Sequence, residues 1–425
     1  MFRIDNTRTP QALSHKFVMT YRSIKKTFQN FKPIHICAMM MMPAIIIPML
    51  YFADAQKAPP SNVPSSSTKS PALPAKPFSP ELASSSPGTE PSISPQKQEN
   101  PQKAIATNST TLAYNVAQAP ALKSSQSLQQ IVNNAVGTFR DRGLPTDKLS
   151  ISLINVKNPQ CKVTAQFQDR QPRFPASISK LFWMVALYGQ INSNTRLQTP
   201  IDRSIVEKMI QKSDNEAASD VVDAITGATS GDSLPSDQLS QWDSQRKSIN
   251  DYFNAAGYQN IDVSQKNFPI PKLGMPDPKG RDLQIRGDER SPIRNSLTTY
   301  DVARLAYEIH SRKAVSVEKS EIMESLMERD LRPEVWQKEE YNSIRGFLSE
   351  KLPLDTYVAS KVGWTAKSRQ DVAIVKSGDN SAHYILTIFG DDKKYADDWD
   401  IFPAVSRQIF EQLKLQDSSS CGNIS

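Results

Sequence analysis

The sequence predicts an α+β (αβα) sandwich, in which a five-stranded antiparallel sheet is flanked by helices and joined to an all-helical subdomain. Three observations predict it. A helix and two alternating strands open the globular part, three strands joined by short turns and a last helix close it, and everything between them has helical periodicity. Turns this short join antiparallel strands, so both strand groups belong to one sheet, and a groove between sheet and helical part is the natural place for a site.

The elements follow in chain order. The 425 residues carry a net charge of +7, but Arg3, Arg8, Lys16, Arg22, Lys25, Lys26 and Lys32 against Asp5 put +6 of it before Pro33 and leave +1 elsewhere. That distribution argues against a nucleic-acid partner and reads residues 1–33 as a basic cytosolic segment. Residues 34–53, IHICAMMMMPAIIIPMLYFA, carry no formal charge and are long enough to cross a bilayer. The basic flank before them predicts an N-terminus in the cytosol and an exported body. Residues 34–55 therefore read as a membrane anchor or, with small residues at Ala53 and Ala55, a cleaved signal peptide. The expected location is the cell envelope on the periplasmic, extracytoplasmic side, or secretion if the chain is cut near Ala55.

Residues 56–125 are dominated by Pro, Ser, Ala, Lys and Gln and read as a disordered linker. Leu128, Ile131, Val132, Ala135, Val136 and Phe139 recur at helical spacing up to Arg142, and Gly143 closes that helix. LSISLINV (149–156) and CKVTAQFQ (161–168) flank KNPQ as a hairpin. FPASISKLFWMVALYGQI then passes from an extended FPA into a helix apolar on all sides, hence central. Helices are predicted over 204–212, 216–225, 249–256 and 299–311, with 260–294 a long loop. YVASKVGW, DVAIVKS and HYILTIFG are the last three strands, and 402–415 the last helix. Residues 126–417 form the catalytic domain, and 418–425 a flexible tail. Three cysteines make no disulfide framework, although Cys161 and Cys421 would share an oxidising compartment and can pair. The four histidines show no ligand spacing, so no metal and no cofactor is expected.

Ser177-Ile178-Ser179-Lys180 places a hydroxyl and an amine three residues apart on one helix face. Ser23, Ser66, Ser94, Ser244 and Ser316 also have Lys at i+3, but only Ser177 stands where an extended segment enters an apolar helix. Serine is a weak nucleophile until a base takes its proton, and a lysine serves when burial lowers its pKa. Ser213-Asp214-Asn215 occurs once, at a junction of two predicted helices. Its Ser hydroxyl can relay a proton to a leaving nitrogen, its Asn amide can hold Lys180 and the substrate amide, and Asp214 suits the turn as an N-cap.

In that order the motifs resemble those of the class A β-lactamase and penicillin-binding protein superfamily, marked by S-x-x-K, S-D-N and K-T-G. FPASISKLF, MIQKSDNEAASDVV and SLTTYDVARLAYEI look like that family's phrasing as well. For the third mark, Lys376-Ser377-Gly378 fits better by letters, but Lys361-Val362-Gly363 lies within a strand with two strands after it, as the family fold requires. Lys361 is therefore the expected third mark. The resemblance implies that Lys361 makes the site positive, that Gly363 lets substrate backbone lie along the strand, and that the N–H groups of Ser177 and Trp364 form an oxyanion hole. Val362 stands where the family has a hydroxyl, and Thr365 and Arg369 are the expected substitutes in binding the substrate carboxylate. The glutamate with which class A enzymes activate deacylating water has only Glu289 as a candidate.

The resemblance implies a serine hydrolase that forms an acyl-enzyme on Ser177 with a β-lactam amide and hydrolyses it; the chain is expected to be a monomer. The alternatives are a D,D-carboxypeptidase acting on D-Ala-D-Ala-type cell-wall peptides and a binding module that acylates without turnover.

Overall fold

The structure, a computed structural model, describes residues 118–416 except 195, 196, 198, 340 and 341. The apolar segment 34–53, the cleavage site near Ala55 and most of the linker lie outside the described residues. Among the described residues no helix is long and apolar enough to cross a membrane.

Among the described residues the sheet has six strands: β1 (Lys123–Ser124), β2 (Leu149–Asn155), β3 (Val163–Phe167), β4 (Tyr357–Thr365), β5 (Ser368–Lys376) and β6 (His383–Gly390), in the order β1-β3-β2-β6-β5-β4. Strands β2 to β6 are the five expected antiparallel ones. The sixth, β1, is a two-residue parallel edge pairing Lys123 with Val163 and Ser124 with Thr164. It falls within the predicted linker, because two polar residues carry no alternation by which a strand can be read.

Helix α1 (Gln126–Asp141) is capped by Ser125, whose hydroxyl accepts from Leu128 N, and its apolar face covers one side of the sheet together with α11 (Ile401–Lys414). Leu149, Ile151 and Leu153 of β2 point into that core, whereas Ile154 reaches the opposite one. The second core holds α2 (Ser179–Asn192), whose residues Ser179 to Gly189 are all buried. Around α2 lie α3 (Arg203–Gln211), α4 (Asn215–Thr226) and α5 (Ser236–Ala255), followed in the chain by the short α6 (Gly280–Gln284), then α7 (Thr299–His310), α8 (Val317–Met327) and the single turn α9 (Pro333–Trp336). A five-residue α10 (Lys393–Asp397) follows the sheet.

Helix α5 is 20 residues long and begins 13 residues before the predicted helix at 249. Its first turns, SDQLSQWDSQR, face solvent and carry too few apolar residues to show a period, although Trp242 and Arg246 are buried. The predicted loop 260–294 contains α6 and a 3-10 turn at Pro271–Leu273. Cys161 is disulfide-bonded, and the other two cysteines lie outside the described residues.

Candidate active site

Ser177 lies in a 3-10 turn, Ala176–Ile178, that leads directly into α2. The residue before it, Ala176, has φ +48°, a left-handed conformation costly for a side chain with a Cβ and characteristic of strained functional turns. Gly363 of β4 packs on this turn: a Cβ there would stand 2.6 Å from Pro175 O and 3.1 Å from Ser177 N. Only glycine permits that approach, and Ser177 and the next strand residue, Trp364, both line the groove beside it.

Lys180, the second residue of α2, is fully buried. Its Nζ lies 2.9 Å from Ser177 Oγ and donates to Ser213 O (2.6 Å) and Asn215 Oδ1 (2.7 Å), with Ser213 Oγ at 3.4 Å. None of these partners is a carboxylate. Burial therefore dominates and lowers its pKa to about 7, with the more distant charge of Asp214 opposing. Ser213 occupies the break between α3 and α4 with φ +56°, and Asp214 caps α4 by accepting from Ala217 N at 2.7 Å. The reading of Asp214 as a brace for the turn fits this geometry. Ser179, by contrast, is buried and donates to Ala176 O.

Lys361 reaches in from β4, its Nζ donating to Ser213 Oγ at 2.8 Å and to Val362 O at 2.8 Å. Burial first, then the like charges of Lys180 and Arg329, push its pKa well down against the pull of Asp371. Lys376, the rival by letters, is exposed at the far end of β5. Ser177, Lys180, Ser213, Asn215 and Lys361 thus form one continuous hydrogen-bonded chain.

Arg369 is corrected. It is fully buried, and Nε, Nη1 and Nη2 donate to Tyr395 O (3.0 Å), Gly346 O (3.0 Å) and Ala396 O (2.7 Å), so no face is turned to a substrate carboxylate. Its guanidinium, brought to about 10 chiefly by burial, lies 4.2 Å from the Trp399 ring centroid and supports that ring from behind. Glu289 is exposed and lines no part of the groove. Thr365 does line it, holding Ser368 Oγ at 2.8 Å.

The groove divides at Ser177. One arm, a cavity of about 790 Å³, is largely apolar and bounded by Phe268, Pro269, Phe347, Val362, Trp364 and Trp399. Trp364 and Trp399 meet at 5.2 Å in a T-shaped pair and are 43% and 39% exposed, forming its lip. The other arm, about 230 Å³, is polar and includes Gln265, Asn267, Asp277, Arg286, Arg294 and Thr365. Sequence reasoning missed Phe268, Trp399, Arg286 and Arg294 because each lies in a segment without periodicity. Among the described residues no group of three His, Cys, Asp or Glu side chains could hold a metal ion.

Among curated proteins, no relative matches the sequence. Solved structures similar to it include the class A β-lactamase of Bacteroides cellulosilyticus, at 14% identity over 68% of this chain and 99% of that one, with a TM-score of 0.47. A β-lactamase of Sphaerobacter thermophilus is similar at 15% identity over 68% and 98%, with a TM-score of 0.47. PBP-A is similar at 17% over 69% and 98%, with a TM-score of 0.45. Residues 145–413, which hold every site residue named above, match the model of the beta-lactamase enzyme family. The chain belongs to that family of serine hydrolases.

Proposed function

We propose that Ser177 forms an acyl-enzyme with a β-lactam amide and that water then releases it. One observation carries this reading: a buried amine with no carboxylate partner, its pKa near 7, lies 2.9 Å from the Ser177 hydroxyl. Neutral Lys180 takes the proton as Ser177 Oγ attacks the carbonyl carbon, and the oxyanion is received by the N–H groups of Ser177 and Trp364. As the C–N bond breaks, Ser213 passes a proton from Lys180 to the leaving nitrogen. Lys361 holds Ser213 in place for this transfer by donating to its Oγ at 2.8 Å.

A specific observation favours a second reading, a D,D-peptidase or penicillin-trapping module. Of the described residues lining the groove, Asp277 is the sole carboxylate, and no glutamate faces Ser177. Deacylation without a well-placed base is slow. Charge asymmetry about residues 34–53 supports a location on the exported face of the cell envelope, anchored through that segment.

The test is intact-mass spectrometry of the full-length protein, wild type and Ser177→Ala, with a fluorescent penicillin followed from minutes to hours. Label gained by wild type alone and then lost within minutes supports the hydrolase, and label that persists supports the second reading. If neither protein is labelled, both readings fail.

A further inference from the structure

The two arms of the groove differ in which half of a substrate they receive. Ser213, which delivers the proton to the leaving nitrogen, borders the apolar arm and not the polar one. With the carbonyl oxygen held by Ser177 N and Trp364 N, the leaving group extends into the apolar arm and the acyl portion into the polar arm.

The polar arm holds three cations whose situations differ. Lys266 is committed: its Nζ lies 2.7 Å from Asp223 and donates to Ser230 Oγ at 2.9 Å. Arg286 and Arg294 make no ion pair with any described residue, and Asp277 nearby bonds to neither. Arg286 Nε is buried without a hydrogen-bond partner, an arrangement that costs free energy until an acceptor arrives. Arg294 stands 5.4 Å from the Phe174 ring centroid. The pair is built into the fold, because Ile293 N donates to Arg286 O at 2.8 Å and closes the loop that brings the two side by side. Behind them, Asn295 and Gln265 are buried and joined by two hydrogen bonds, Asn295 Nδ2 to Gln265 O (2.7 Å) and Gln265 N to Asn295 Oδ1 (2.9 Å). Burial, and then the like charge of Arg294, hold the Arg286 pKa below its usual value against the opposing charge of Asp277.

We infer that Arg286 and Arg294 form an anion subsite that binds a carboxylate on the acyl portion of the substrate. The inference rests on the acyl-enzyme reading above and adds a substrate class to it: amides whose acyl side carries a negative charge. The small volume of the arm and the single carboxylate of Asp277 suit one carboxylate rather than a polyanion.

The test compares benzylpenicillin with its α-carboxy derivative, which differ by one carboxylate on the acyl side chain. Acylation rate constants for the full-length protein are read by intact mass. For wild type the carboxylated compound is expected to react roughly tenfold faster, with the ratio shrinking as salt is raised. In Arg294→Gln, at an exposed position that tolerates the change, and in Arg286→Gln/Arg294→Gln the ratio falls towards one. A wild-type ratio at or below one overturns the inference without recourse to any variant, as does a preference that survives in the double variant. If neither compound labels wild type, the acyl-enzyme reading itself has failed and takes the subsite with it.

Discussion

In the proposed mechanism Lys180 is the base because the fold gives it hydrogen bonds but, among the described residues, no carboxylate within bonding distance. The sign of the pH dependence follows. Below about pH 7 the ammonium holds its proton and cannot accept that of Ser177, so acylation should rise with pH through about 7 and level off above it. Stopped-flow acylation across pH 5 to 9 checks this, and a rate falling with pH would remove Lys180 as base. Lys180→Ala should slow acylation by about 10²–10⁴-fold. Phe268 borders both arms beside Ser177, where an apolar ring leaves water without a base. Phe268→Glu is expected to shorten the lifetime of the acyl-enzyme, measured as loss of label after excess penicillin is removed. Both hydroxyls of the proposed mechanism were legible in the sequence, since Ser177 to Lys180 spans one helical turn and Ser213-Asp214-Asn215 is contiguous. Arg369 misled because a strand position near the site says nothing about whether a guanidinium faces the groove or the carbonyls behind it.

At the scale of elements, β4 and the turn before α2 must touch for the oxyanion corner to exist, and Gly363 makes the touch possible. Gly363→Ala would press a methyl group against Pro175 O and displace strand or turn by a fraction of an ångström to an ångström. Acylation should drop about 10²-fold while the circular-dichroism spectrum is kept. Full activity in that variant would mean that Gly363 does not set the approach. The left-handed φ at Ala176 and at Ser213 points the same way: short breaks next to helices aim the hydroxyls, and neighbouring packing holds the breaks in place. The elements that pattern revealed were those with an apolar face or an apolar run bounded by turns, such as α1 and the five antiparallel strands. The first turns of α5 and the two-residue β1 escaped because their sequences lack an apolar period.

For the whole molecule, the groove stays open to a fixed width only if the helical part is held against the sheet. Helix α7 contributes a buried pair, Arg304 Nε to Glu308 Oε1 at 2.8 Å, which fastens the end of α5 through Arg304 Nη2 to Ala256 O (2.6 Å) and Nη1 to Gly257 O (2.8 Å). Tyr258 donates to the same glutamate at 2.7 Å. Glu308→Ala leaves the guanidinium buried with one partner fewer and should cost about 3–5 kcal/mol, read as a lower urea midpoint. An unchanged midpoint would show that this pair does not hold the subdomain. The sequence by itself determined the α+β class and singled out Ser177, Lys180, Ser213 and Asn215 as the candidate site, because each depends on spacing within a few residues or on a repeating apolar face. Tertiary structure decided which lysine completes the site, since Lys361 meets Ser213 across 148 residues of chain. It also decided that Arg369 is a buried support and that Arg286 and Arg294 face one arm of the groove. Contacts so distant in sequence leave no local pattern: long-range packing fixes them, and packing is a property of the assembled core.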